Sequence, residues 1–108
     1  MSFNILPTPE FARELKRLSK KYVSLKTDLS KLLASLEKDP TLGQPLGNYC
    51  FKIRIAISSK NKGKSGGARV ITYVQIVEEN IYLISIYDKS ETDTISDAEL
   101  LSRIKDLR

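Results

Sequence analysis

The stretch from Phe51 to Tyr73 reads F-K-I-R-I-A-I-S-S-K-N-K-G-K-S-G-G-A-R-V-I-T-Y, and it leaves this chain few ways to fold. Two alternating runs flank a loop of lysines and glycines. Alternation with period two marks a half-buried strand, and two such runs joined by a glycine-rich loop form an antiparallel hairpin. In the first run Phe51, Ile53, Ile55 and Ile57 share one face, while Lys52, Arg54 and Ala56 share the other. In the second, Val70, Thr72, Val74 and Ile76 alternate with Arg69, Ile71, Tyr73 and Gln75. If Arg69 faces solvent, Tyr73 lies on the same side. The stretch carries Lys52, Arg54, Lys60, Lys62, Lys64 and Arg69, and neither Asp nor Glu.

A hairpin with isoleucines on one face needs a cover. Two helices precede it. Thr8 is placed to cap the first, with Pro9 at its first position and a stripe of Phe11, Leu15 and Leu18 over Pro9 to about Lys21. The second runs from Leu25 to about Asp39, with Leu25, Leu29, Leu32, Leu33 and Leu36 on one side. Their short connection predicts an antiparallel helix hairpin whose apolar faces lie on the sheet. The isoleucines should meet these helices, which turns Lys52 and Arg54 toward solvent. Phe3 to Leu6 reads as a short edge strand. Asp39-Pro40 ends the second helix, and the Gly- and Pro-rich segment from Thr41 to Tyr49 reads as loop. Ile81 to Tyr87, I-Y-L-I-S-I-Y, is dense enough in apolar residues to sit inside the sheet. Ser96 and Glu99 form a capping box for a last helix with apolar Ile95, Leu100, Leu101, Ile104 and Leu107. The whole, residues 1–108, is one α+β domain.

The chain has 18 Lys and Arg against 13 Asp and Glu, net +5, which points to an anionic partner. It has no histidine and a single cysteine. A Ser-His-Asp triad, a Cys-His pair and the usual zinc sites are therefore excluded or short of ligands. Cys50 reads as a buried, inert thiol in a reducing cytoplasm. The amino terminus lacks the pattern of an export signal, and no run of about 20 apolar residues could span a bilayer. The loop K-N-K-G-K-S-G-G departs from the spacing of a phosphate-binding P-loop and joins strands instead of opening a helix.

On the exposed face Lys52, Arg54, Arg69 and Tyr73 should come together. One use of such a group is RNA cleavage. The 2′-hydroxyl of RNA attacks its own phosphate, so the protein supplies no nucleophile. It must neutralise a phosphorane and move protons. Arginine matches phosphate in bidentate fashion, lysine crowded by cations can trade protons, and tyrosine can stack on a base. For Tyr73 and Tyr87 ordinary strand packing is the competing reading. For the loop lysines it is a solvated hairpin tip.

At these residues the sequence resembles the RelE/ParE superfamily of bacterial type II toxins, nearest its HigB/RelE-like branch. The resemblance rests on K-I-R at Lys52–Arg54, K-G-K-S-G-G-A-R-V-I-T-Y from Lys62 to Tyr73, and I-Y-L-I-S-I-Y-D-K-S-E from Ile81 to Glu91. It implies a twisted antiparallel sheet with the helix hairpin on one face and a short carboxy-terminal helix. It also implies a ribosome-dependent endoribonuclease that cuts mRNA in the A site without metal or cofactor, held in check by a protein antitoxin and not bound to membrane. The resemblance puts Lys52, Arg54 and Arg69 on the scissile phosphate, makes Lys89 a further catalytic cation, and gives Lys60, Lys62 and Lys64 contacts to RNA. Some relatives carry a functional tyrosine near the carboxy terminus. Residues 88–108 contain none, which leaves that work to Tyr73, Tyr87 or lysine. Two other functions stay open: inhibition of DNA gyrase, as by ParE relatives, and RNA or ribosome binding without catalysis.

Overall fold

The computed structural model describes residues 3–60, 63, 66–92 and 94–108. Among the described residues five strands form one sheet: β1 (Asn4–Pro7), β2 (Gln44–Gly47), β3 (Cys50–Ile55), β4 (Ala68–Gln75) and β5 (Asn80–Asp88), in the order β1-β5-β4-β3-β2. Neighbours from β5 to β2 are antiparallel, and β1 joins the edge in parallel with β5. The parallel pair follows from topology. The two helices α1 (Pro9–Lys21) and α2 (Leu25–Lys38) lie between β1 and the hairpin and return the chain on one side of the sheet.

Thr8 Oγ1 accepts from the Phe11 N–H at 3.3 Å and donates to the Leu83 carbonyl at 2.9 Å. One hydroxyl thus starts α1 and fixes it to β5. Phe11, Leu18, Leu25, Leu29, Leu32 and Leu36 then pack on Ile53, Ile55, Val70, Leu83 and Ile86. At roughly 1.5–3 kcal/mol for each large side chain buried, this layer is the main source of stability.

The second face of the sheet is not open. The helix α3 (Asp97–Ile104), capped by Ser96 Oγ accepting from the Glu99 N–H at 3.1 Å, crosses it. Leu100 and Ile104 pack on Cys50, Ile71, Tyr73, Ile84 and Tyr87. With α1 and α2 on one face and α3 on the other, every residue of β4 from Ala68 to Val74 is buried. The expectation that one alternate set on this strand faces solvent is corrected here: the last helix covers it. Arg69 is buried too, only 4% exposed.

The segment from Thr41 to Tyr49, expected as loop, contains β2. Its pairing shifts register between Pro45 and Gly47. Proline is tolerated on an edge strand because one side of the backbone needs no partner, so composition hid a short strand here.

Candidate nucleic-acid interface

Register places the candidate residues. Arg54 on β3 lies directly opposite Arg69 on β4, and Arg69 lies opposite Tyr87 on β5. Opposed residues share a face with Cα atoms about 4.5–5.5 Å apart. Arg54, Arg69 and Tyr87 therefore form one row across three strands. Lys52 stands one step along, opposite Ile71. Arg54 is exposed and Lys52 half-buried, so this end of the row meets solvent.

The strand is 8 residues long, and Tyr73 lies four residues from Arg69 on it. At about 3.3 Å per residue that is roughly 13 Å, too far to share one phosphate with it. Tyr73 is buried instead, opposite Cys50 and Tyr82, its ring stacked on Tyr82 with centroids 6.2 Å apart. Sequence alternation put Tyr73 on the right face but could not show α3 lying over it. Tyr87 is also buried, yet its Oη finds no hydrogen-bond partner among the described residues. A buried phenol without a partner costs about 1–3 kcal/mol. It stands beside Arg69 as a donor ready for an acceptor.

Lys60 is drawn inward. Its Nζ lies 2.7 Å from Asp88 Oδ1, 2.9 Å from the Gly66 carbonyl and 3.1 Å from Ser90 Oγ, and sits 5.1 Å from the centre of the Tyr22 ring. Lys60, expected among solvated loop lysines, is instead held inward by a completely buried carboxylate. Tyr22 Oη at 2.5 Å and Ser90 Oγ at 2.7 Å complete the shell of Asp88. Burial by itself would raise the Asp88 carboxyl, but the bonds from Lys60, Tyr22 and Ser90 outweigh it and hold the group well below the usual carboxylate range. Nothing in the sequence marked Tyr22, and Asp88 stood only as one letter of the Ile81–Glu91 motif. The only signal was a lone acid at the end of an apolar strand. Lys62 and Lys64 lie outside the described residues. Lys89 follows β5 by one residue, and its N–H donates to the Gly67 carbonyl at 3.0 Å. Gly67 must be glycine, since a Cβ there would come within 2.0 Å of the Ile55 carbonyl oxygen.

Lys52 and Arg54 also border an open groove of about 770 Å³ between α2 and the edge of β3. No helix among the described residues is long and apolar enough to cross a membrane.

The sequence profile of a family described as "RelE toxin of RelE / RelB toxin-antitoxin system" matches residues 8–106. Among solved structures, the fold is similar to a mutant of Escherichia coli toxin RelE in the free state, with a TM-score of 0.66 and 15% identity over 100% of both chains. It is also similar to that mutant in complex with a peptide of the antitoxin RelB, with a TM-score of 0.59 and 19% identity over 94% of this chain and 93% of the other.

Proposed function

The chain belongs to the family of RelE toxins of RelE/RelB toxin–antitoxin systems, and we propose that it acts as an endoribonuclease that cleaves mRNA in the ribosomal A site. The row Arg54–Arg69–Tyr87 carries this reading. Arg54 meets solvent at one end of the row, with Arg69 and Tyr87 buried behind it. A phosphate held at this end by the two arginines would also give an acceptor to the Tyr87 hydroxyl, which has no partner among the described residues.

In this reading the 2′-oxygen of the substrate attacks phosphorus while the bond from phosphorus to the 5′-oxygen breaks. The products are a 2′,3′-cyclic phosphate and a 5′-hydroxyl. One proton leaves the 2′-oxygen and one reaches the 5′-oxygen. Arg54 and Arg69 neutralise the equatorial oxygens, Tyr87 donates to one of them, and Lys52 and Lys89 supply the remaining cations and the proton traffic. Tyr73 and Lys60 have no part in it, because packing and Asp88 hold them elsewhere.

The partner is a cognate protein antitoxin, in line with the antitoxin peptide bound to the related toxin. The site of action is the cytoplasm, where translating ribosomes are found. The test is to add purified protein and its Arg54→Ala variant to translating ribosomes and map new mRNA 5′ ends. Cuts within the A-site codon that vanish in the variant are expected. Intact mRNA with tight ribosome binding would select a non-catalytic binder, and DNA breaks with translation running would select a gyrase inhibitor.

A further inference from the structure

We propose that a pocket of about 330 Å³ beside Tyr49, at the end of the sheet away from Arg54, binds an unpaired nucleobase of the RNA, and that guanine fits it best. This deepens the reading of the chain as an RNA-cleaving toxin and rests on it. Tyr49, Ile76, Val77, Glu78 and Arg108 line the pocket.

The conformation of Tyr49 is the first observation. A two-residue loop, Asn48-Tyr49, joins Gly47 of β2 to Cys50 of β3, and both residues have positive φ, 55° and 61°. Hairpin loops of this form favour Asn followed by Gly. Asn48 fits that preference and Tyr49 does not, because a Cβ at positive φ crowds the backbone. Burial does not compensate, since Tyr49 is 72% exposed. An aromatic ring held in the open on a strained backbone points to a ligand for that ring.

The polar groups around it select the ligand. Arg108 Nη2 donates to Asn48 Oδ1 at 3.2 Å, which ties the guanidinium to the same turn. A guanidinium has five N–H donors, so most of them remain for a ligand. Glu78 adds a carboxylate, and the exposed Ile76 and Val77 add apolar surface. A base brings a flat face to the ring, acceptors to the guanidinium and N–H groups to the carboxylate. Guanine brings the most of these together: O6 and N7 for arginine and an amino group for the acid. A second copy of this chain, itself +5, is repelled, while a polyanion is attracted.

The pocket is also on a track from the row of arginines. Tyr49 precedes Arg54 along β3 by roughly 17 Å, at about 3.3 Å per residue. Lys52 stands between them on the face of Arg54. A single strand with its scissile phosphate on Arg54 passes Lys52 and reaches the pocket after about five nucleotides stacked at ~3.4 Å.

NMR of ring-labelled tyrosine in the full chain, titrated with guanosine monophosphate and separately with uridine monophosphate, tests the pocket. The Tyr49 ring signals, identified by their loss in Tyr49→Phe, should move upfield and saturate, with the guanine nucleotide bound at least several-fold more tightly. Ring signals that stay fixed with both nucleotides overturn the site. Tyr49→Gly separates ligand from fold. Glycine relieves the positive φ, so this variant should melt in urea no earlier than wild type. It should nevertheless bind an uncleavable 2′-deoxy oligonucleotide about tenfold more weakly, as loss of one stacked base requires. On translating ribosomes its KM should rise similarly with kcat unchanged, and Tyr49→Phe should restore it. Unchanged binding in Tyr49→Gly, or weaker binding that merely follows lost stability, overturns the proposal. Arg108→Ala should abolish the preference for guanine, and a preference that survives removes Arg108 from the site. Concentration-dependent dimers that Val77→Asp disperses, without any ring shift, would give the surface to a second copy and overturn the proposal. A ring shift without any cutting of mRNA supports the pocket and sinks the nuclease reading. Equal cutting by wild type and Tyr49→Gly at limiting substrate does the reverse.

Discussion

Arg54 and Arg69 stand directly opposite each other across β3 and β4, yet the first is exposed and the second is buried. Their substitutions should therefore separate. Arg54→Ala removes a charge that packs on little, so stability should change by at most about 0.5 kcal/mol. Cleavage should fall by about 100-fold or more, the usual effect of losing one charge-stabilising donor. Arg69→Ala also opens a hole in the interior, so it should cost roughly 2–4 kcal/mol together with activity. Urea melts and cleavage assays on the same preparations measure both. An Arg54→Ala enzyme that cuts normally would remove that side chain from the mechanism.

Lys60 and Asp88 form a buried pair whose loss should appear as instability, with binding left largely alone. Lys60→Met leaves the carboxylate buried without its cation, which should cost about 3 kcal/mol. Adding Asp88→Asn should recover part of that, since the second change removes the stranded charge. The pH dependence has a definite sign. Asp88 titrates lower in the folded chain than in the unfolded one. Its contribution is complete above the unfolded carboxylate range, near 4, and is lost as pH falls toward the folded value. Asp28 acts in the same direction: burial alone would raise it, and the bonds from Ser58 and Ser24 outweigh burial and lower it. Lys60 titrates higher when folded: burial alone would lower it, but the bond and charge of Asp88 together with those of Tyr22 outweigh burial. Its contribution holds below about pH 10 and is lost as pH rises through the folded value. Urea melts from pH 2 to 5 should show a slope that Asp88→Asn reduces. An equal slope in that variant would place the acid sensitivity elsewhere.

Period-two alternation made the Phe51–Tyr73 hairpin legible, together with the faces of Lys52, Arg54 and Arg69, because backbone geometry alone sets that pattern. The helix hairpin was legible from its caps and leucine stripes. What α3 covers was not, since the docking of an amphipathic helix depends on contacts remote in sequence. That is why Tyr73 was expected in solvent and lies in the core. Lys60 was misplaced for a related reason. Its neighbours in sequence are cations and glycines, while the carboxylate that captures it lies 28 residues away.

Arg103 on α3 reaches around the sheet to Glu14 on α1. Its Nη1 and Nη2 each lie 3.1 Å from a Glu14 oxygen, and Nη1 also donates to the Ile84 carbonyl at 3.0 Å. Glu14 Oε1 in turn accepts from the Ile86 N–H at 3.2 Å. β1 pairs with β5 only as far as Leu83, so these two side chains close the remaining edge of β5 and tie α3 to α1. Glu14→Ala should cost about 1–3 kcal/mol and speed amide exchange at Ile86 and along α3. Exchange unchanged at Ile86 would mean that the edge is closed by something else.

Cys50 gives a native reporter for the same helix. It is fully buried among Ile71, Leu100 and Ile104, beneath α3. Burial pushes its thiol up to about 11, against a weaker opposing pull from Arg108. At pH 8 only about one molecule in a thousand carries the thiolate, and none of it is accessible while α3 is seated. Native protein should therefore react with a thiol-specific disulfide reagent orders of magnitude more slowly than protein in denaturant. Glu14→Ala loosens α3 and should raise the native rate at least tenfold if labelling proceeds through local opening. The reagent rate in this variant should track amide exchange in α3 and not global unfolding, which urea series separate. A wild-type chain that labels as fast as its unfolded form would show that α3 does not cover this face in solution. It would then also withdraw the account of why Tyr73 and Tyr87 are buried.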